Sequence, residues 1–168
     1  MSESKNICLY CGLCCNGTLI GFVELDGGEI SVFRELMDIE EMDEKGLFFH
    51  PCINYGCNGC TIYSKRPKQC GKFKCKLLKS IENNELDFES ATEVVNLVKQ
   101  KRTAIEKQFE TLPFEFKSRS FYFKILELNK LLRNDEYRLS FQQNHMDLIS
   151  DLREIDKLVS KSFGISFD

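Results

Sequence analysis

Several absences narrow the reading of this 168-residue chain before any motif is considered. No apolar stretch approaches the ~18 residues of a membrane span. The N-terminus, MSESKNICLYCG, lacks the basic-then-apolar design of a secretory leader, so a cytoplasmic location without membrane association is expected. Neither sign of charge dominates, with 23 Lys and Arg against 26 Asp and Glu and a formal net charge of −3. A general phosphate binder is usually strongly basic, so nucleic acid is not an expected partner. There is no internal repeat, no low-complexity tract and no glycine-rich loop for a dinucleotide or methyl donor. No Ser/His/Asp or Cys/His arrangement stands out, which leaves any catalytic residue unidentified.

Cysteine is absent after position 75, yet nine cysteines crowd into residues 8–75. In a reducing compartment such clustering points to metal ligation rather than to disulfides, and an odd count leaves one thiol outside any pairing scheme. Residues 45–79 contain no carboxylate, whereas residues 35–44 carry six and are expected to form a short exposed helix. Residues 18–24 and 30–33 read as strands, and Asp26-Gly27-Gly28 between them as a hairpin turn.

The second half changes character. From Asp87 or Ser90, the positions Ala91, Val94, Val95, Val98, Ile105, Phe109 and Leu112 follow helical spacing, with Ser90 and Glu93 as a capping box. Pro113 should close that helix. A second helix is expected over 118–133, with Phe121, Ile125, Leu128 and Leu132 on one stripe. A third is expected over 136–161, with Phe141, Leu148, Leu152, Ile155 and Val159 buried. The fold class is α+β and mostly helical. A cysteine-rich metal-binding domain with a small β-hairpin (residues 1–80) would pack on a three-helix antiparallel bundle (residues 81–168).

The metal candidates are Cys8, Cys11, Cys14 and Cys15, then Cys52, Cys57, Cys60, Cys70 and Cys75. In C-x2-C a tight turn aims two thiolates at one ion, and Gly12 after the second cysteine allows the backbone that turn needs. Cys57 and Cys60 have the same separation. Cys8, Cys11 and Cys14 form C-x2-C-x2-C, which can hold three corners of an iron–sulfur cubane. The same residues could equally fill two four-thiolate zinc sites. Adjacent side chains diverge, so Cys14 and Cys15 serve different sites or one of them bridges, and two metal positions are expected. The C-x3-C-x2-C spacing of radical chemistry is missing.

These motifs resemble the CxxCxxCC cysteine-cluster family of zinc- or iron-chelating bacterial proteins. The first family motif stands complete as Cys8, Cys11, Cys14 and Cys15. The second stands as Cys52, followed by Cys60-Thr61-Ile62-Tyr63-Ser64-Lys65-Arg66-Pro67-Lys68-Gln69-Cys70-Gly71-Lys72-Phe73-Lys74-Cys75. The resemblance spans residues 8–75 and implies eight ligands: Cys8, Cys11, Cys14, Cys15, Cys52, Cys60, Cys70 and Cys75. It leaves Cys57 spare, against the spacing that pairs Cys57 with Cys60. Gly71 departs from the arginine that relatives often carry. The resemblance implies chelation of zinc or an iron–sulfur cluster more firmly than catalysis. Some longer relatives look like flagellin lysine methylases, which keeps an enzyme or redox role acting on a protein or peptide as the alternative. On the structural reading, the helical half would dock a protein or peptide partner.

Other residues carry weaker signals. Lys65, Arg66, Lys68, Lys72, Lys74, Lys76 and Lys79 surround Cys70 and Cys75 and could offset thiolate charge, or form a solvated basic face. Tyr63, Arg66 and Pro67 could shape the site. His50 could substitute as a ligand, but with eight cysteines available it reads as a surface histidine. His145 reads as packing or solvent-exposed. The carboxylates of 35–44 lack the spacing of a calcium loop. Phe114, Phe116, Phe121, Tyr122 and Phe123 read as core.

Overall fold

The first helix, α1 (Ile7–Cys11), is one turn long and survives because both ends are capped. The Asn6 carboxamide oxygen accepts the Cys8 and Leu9 N–H groups, and Gly12, at φ 62°, closes the other end. The protein is described here from a computed structural model covering residues 6–42 and 45–167.

Strand β1 (Phe22–Leu25) follows, but the expected hairpin does not. Asp26 opens helix α2 (Gly27–Phe33), where the Glu29 carboxylate accepts the Asp26 N–H at 3.2 Å. This capping outcompetes the Asp-Gly turn, and it places Ile30, Phe33 and Met37 at helix-like spacing over one core. The acidic segment also differs from expectation. Residues 35–39 form turn and coil and only its end is a strand, the exposed β2 (Glu40–Met42), while residues 43–44 lie outside the described residues. Strand β3 (Lys45–Phe49) is the true partner of both, giving the antiparallel order β1-β3-β2 with Val23 opposite Phe48 and Glu41 opposite Gly46.

A second antiparallel pair of consecutive strands lies later, between β4 (Tyr55–Gly56) and β5 (Gly59–Cys60). Gly59 there has φ +92°, and a Cβ on it would lie 2.6 Å from the Leu9 carbonyl oxygen, so both conformation and space demand glycine. A 3-10 turn over Tyr63–Lys65, helix α3 (Lys68–Lys72) and helix α4 (Lys76–Glu82) complete the cysteine-bearing segment. The buried Glu29 also accepts the Lys68 N–H at 2.9 Å, tying the start of α3 to α2.

Helix α5 (Phe88–Phe109) begins where Asp87 accepts both the N–H and the hydroxyl of Ser90 at 2.8 Å. The cap is therefore Asp87, and the capping box expected at Ser90 lies inside the helix. Helix α6 (Phe121–Leu131) starts at Ser120. The single helix expected over 136–161 is two, α7 (Asp135–Asn144) and α8 (Met146–Phe163), broken at His145. Phe141 and Leu148 are seven residues apart, so their stripe stays in phase across a break and periodicity cannot reveal one. The poor helix formers Asn144 and His145 mark it. The expected three-helix bundle is thus replaced by α4 to α8. Within it, Lys101–Glu154 and Gln108–Asp151 contacts, each 2.6 Å, align α5 and α8 antiparallel.

Two hydrophobic clusters result. The larger joins Ile7, Leu13 and Leu19 to Val95, Val98, Phe121, Ile155 and Phe163, so one core crosses residue 80. Its connection to the cysteine loop is also polar. The Gly17 carbonyl accepts the Tyr122 N–H at 2.9 Å and the hydroxyl of the fully buried Ser120 at 3.0 Å. The smaller cluster lies between α2 and the sheet, with Val23, Leu25, Ile30, Phe33, Met37 and Phe48. Among the described residues, no helix is long and apolar enough to cross a membrane.

Candidate metal centre

The two cores converge on the cysteines from opposite sides. Cys8, Cys11, Cys14 and Cys75 pack on the larger core, whereas Cys52 and Cys70 pack on the smaller. Cys8 and Cys11 sit on α1, one helical turn apart. Cys14 and Cys15 follow in the turn that leads from Gly12 to Leu19. Cys52 lies just beyond β3, where its N–H donates to the Cys15 carbonyl at 2.8 Å. Cys60 is held by β5, Cys70 by α3, and Cys75 is the N-cap of α4, its sulfur accepting the Leu78 N–H at 3.5 Å.

All nine thiols are free. Seven of them, Cys8, Cys11, Cys14, Cys15, Cys52, Cys60 and Cys70, line one cavity of about 100 Å³. Cys75 does not line it, but its charge acts on Cys8, Cys11 and Cys14. Cys57 is exposed at the turn of the hairpin and faces away from the cavity that Cys60 lines, so the structure does not bring that C-x2-C pair together on one site.

The mutual electrostatics sort the thiols into two sets of four. Cys75 acts on Cys8, Cys11 and Cys14, and Cys60 acts on Cys15, Cys52 and Cys70. Cys15 also acts on Cys14, and Cys11 on Cys15, across the two groups. Burial pushes Cys11, Cys15 and Cys70 up to about 12 and Cys14 well above its ordinary range. Burial raises Cys8, Cys52 and Cys75 as well. Such thiols stay protonated until a cation replaces the proton, because an unpaired buried thiolate is costly.

The cations that counter this effect are only partly those the sequence suggested. Arg66 lies 3.8 Å over the Tyr63 ring and favours the thiolate of Cys8 and of Cys70, one from each set. Tyr63 in turn donates to Asn6 at 3.2 Å, steadying the cap of the helix that carries Cys8 and Cys11. Lys79 acts on Cys75. Lys68 and Lys74 point elsewhere, to Asp26 and Glu82. Lys99, from α5, acts on Cys11 and donates to the Tyr10 carbonyl at 2.9 Å. No local signal in the sequence marks Lys99, because only the packing of α5 on α1 brings it there.

His50 is not a surface residue. It is 6% exposed, packs edge-on against Phe48 at 5.6 Å, and its backbone N–H donates to Gly21 at 2.8 Å. Its position between the end of β3 and the cysteine loop buries it, and burial lowers its imidazole to about 4 despite a hydrogen bond with the Cys15 backbone. His50 and Cys52 also line a groove of about 680 Å³, which runs past Arg34, Glu40, Phe49 and Arg119.

Among the described residues, no group of three or more Cys, His, Asp or Glu side chains is pre-set as a metal cage. The donor chemistry is nonetheless consistent. Soft thiols in fours suit tetrahedral zinc or an iron–sulfur centre, and hard oxygen-seeking ions do not fit them.

A family model described as "Putative zinc- or iron-chelating domain" and named CxxCxxCC matches residues 7–109. The match therefore extends beyond the cysteine motifs through α5. No curated protein and no solved structure matches the chain.

Proposed function

Because the chain belongs to the CxxCxxCC family of zinc- or iron-chelating domains, we propose that it holds two metal positions through eight thiolates. The first would use Cys8, Cys11, Cys14 and Cys75, and the second Cys15, Cys52, Cys60 and Cys70. The observation that carries this reading is the gathering of seven of the eight free thiols around one small cavity, with Cys75 beside it acting on Cys8, Cys11 and Cys14. Metal at these positions is mainly structural. It would join α1, the turn after it, the β5 hairpin, α3 and α4, segments too short to hold their geometry alone. The metal would supply charge to the thiolates, while Arg66, Lys79 and Lys99 offset what remains negative.

The test is metal and acid-labile sulfide analysis, with an absorbance spectrum, on protein purified anaerobically without added metal. About two zinc per chain and no visible colour supports the two-position reading. Metal-free folded protein would overturn it. A second reading, an iron–sulfur enzyme or redox protein acting on a protein or peptide, is favoured by one observation. The 680 Å³ groove reaches Cys52, so an outside molecule could approach the second set of thiols. Iron with labile sulfide and absorbance near 400 nm, at the order of magnitude expected for iron–thiolate ligation, would select it.

A further inference from the structure

His50 is the one buried polar side chain around the thiol cavity whose chemistry the eight-thiolate reading leaves unused. It lines the cavity with seven of the thiols; what places it beside the second set is its hydrogen bond to the Cys15 backbone and the outer groove that it lines with Cys52. The residue is 94% buried by its 6% exposure, and its Nδ1 has no hydrogen-bond partner. An orphaned ring nitrogen in an apolar setting destabilises the fold unless something occupies it. Arg102 Nε is also buried without a partner, but it lies on α5 outside the cavity, whereas the other polar groups buried near the cysteine loop, such as Thr18 and Ser120, have partners.

We propose that His50 is a ninth metal donor, bonded through its imidazole to the second position and making it a mixed nitrogen–sulfur site. This rests on the two-position reading and goes beyond the cysteine motif. The ion suited to it is a borderline divalent cation such as zinc, which takes thiolate and imidazole alike. Five candidate donors then surround an ion that usually takes four. One of them can leave when an outside ligand enters from the groove, so the second position is the exchangeable one. Cys8, Cys11, Cys14 and Cys75 of the first position pack on the larger core, away from the groove that His50 and Cys52 line.

The test uses the full chain loaded with 113Cd and a correlation spectrum that reads scalar coupling from cadmium to protons. Two cadmium resonances are expected. One should couple to the imidazole protons of His50 and to cysteine β-protons of the second set; the other should couple only to protons of Cys8, Cys11, Cys14 and Cys75. His50→Gln should remove the imidazole cross-peak and leave the first resonance in place. Two resonances that couple to cysteine protons alone would overturn the proposal while leaving the two-position reading standing. A single resonance coupled to His50 would overturn the two-position reading and, with it, the assignment of His50 to a second, exchangeable position. A folded protein that binds no cadmium would overturn both. The wild-type measurement decides the matter even where His50→Gln fails to fold.

Discussion

Paired serine substitutions give the sharpest test of how the thiols are grouped. Cys14 and Cys15 are neighbours in sequence, yet their electrostatic partners place them in different sets. A four-thiolate zinc site is worth roughly 10–16 kcal/mol of apparent binding energy. Losing one of four equivalent donors should then cost about 3–4 kcal/mol, a weakening of roughly 10²–10³-fold. A competing chromophoric chelator set within that interval strips the damaged position and leaves the intact one loaded. Cys14→Ser should therefore lower bound metal from two equivalents to one. Adding Cys75→Ser should lower it no further, because both thiols serve the same ion. Combining Cys14→Ser with Cys60→Ser and His50→Gln should remove both metals, because only three of the second position's five candidate donors then remain. Double substitutions at coupled positions are non-additive and those at independent positions add, which is the contrast measured here. The grouping is falsified if the Cys14/Cys75 pair loses both metals while the variant lacking Cys14, Cys60 and the His50 imidazole keeps one.

Proton release offers an independent check: burial raises the thiols, several to about 12, so four protons should leave per metal bound at neutral pH. Metal affinity should then fall as pH falls, by about four logarithmic units per pH unit between pH 8 and 6, and titration in buffers of different ionisation enthalpy would show a lower number if the thiols were already ionised. Cys57→Ser should keep two metals and the wild-type exchange rate, since Cys57 is exposed at a turn; metal analysis showing one equivalent would restore the Cys57–Cys60 pairing. Gly59→Ala should destabilise the folded chain by about 2 kcal/mol or more, because φ +92° disfavours a Cβ and the Leu9 carbonyl blocks it; an unchanged denaturation midpoint would contradict this. Phe121→Ala empties a fully buried site between Phe109 and Phe167, with both ring centroids 6.0 Å away, and should cost about 3–5 kcal/mol, or roughly 6–20 °C in Tm by calorimetry.

By itself the sequence determined the elements whose signal is local. Gly12 after C-x2-C was legible because a cysteine turn needs a residue that tolerates positive φ, and Gly12 takes φ 62°. The apolar stripes of α5, α6 and α8 were legible because a helix buries residues three and four apart. The family was legible in the cysteine spacing and the Ile62-Tyr63 and Arg66-Pro67 signature. Tertiary structure decided everything that depends on partners distant in the chain. Asp26-Gly27 could open a hairpin or a helix, and the outcome followed from β3, which supplies the strand that pairs with β1, and from the core that Ile30 and Phe33 enter. Nothing near His50 in sequence marks it as buried, because its burial comes from β1 and the cysteine loop closing over the end of β3. The sorting of the thiols belongs to the same class. Cys75 joins Cys8 and Cys11 only because α4 and α1 meet on one core, and Cys15 turns towards Cys52 because the backbone bond between them holds it there. Local propensity is written in neighbouring residues, whereas the gathering of thiols from separate elements around one cavity exists only once the chain has folded.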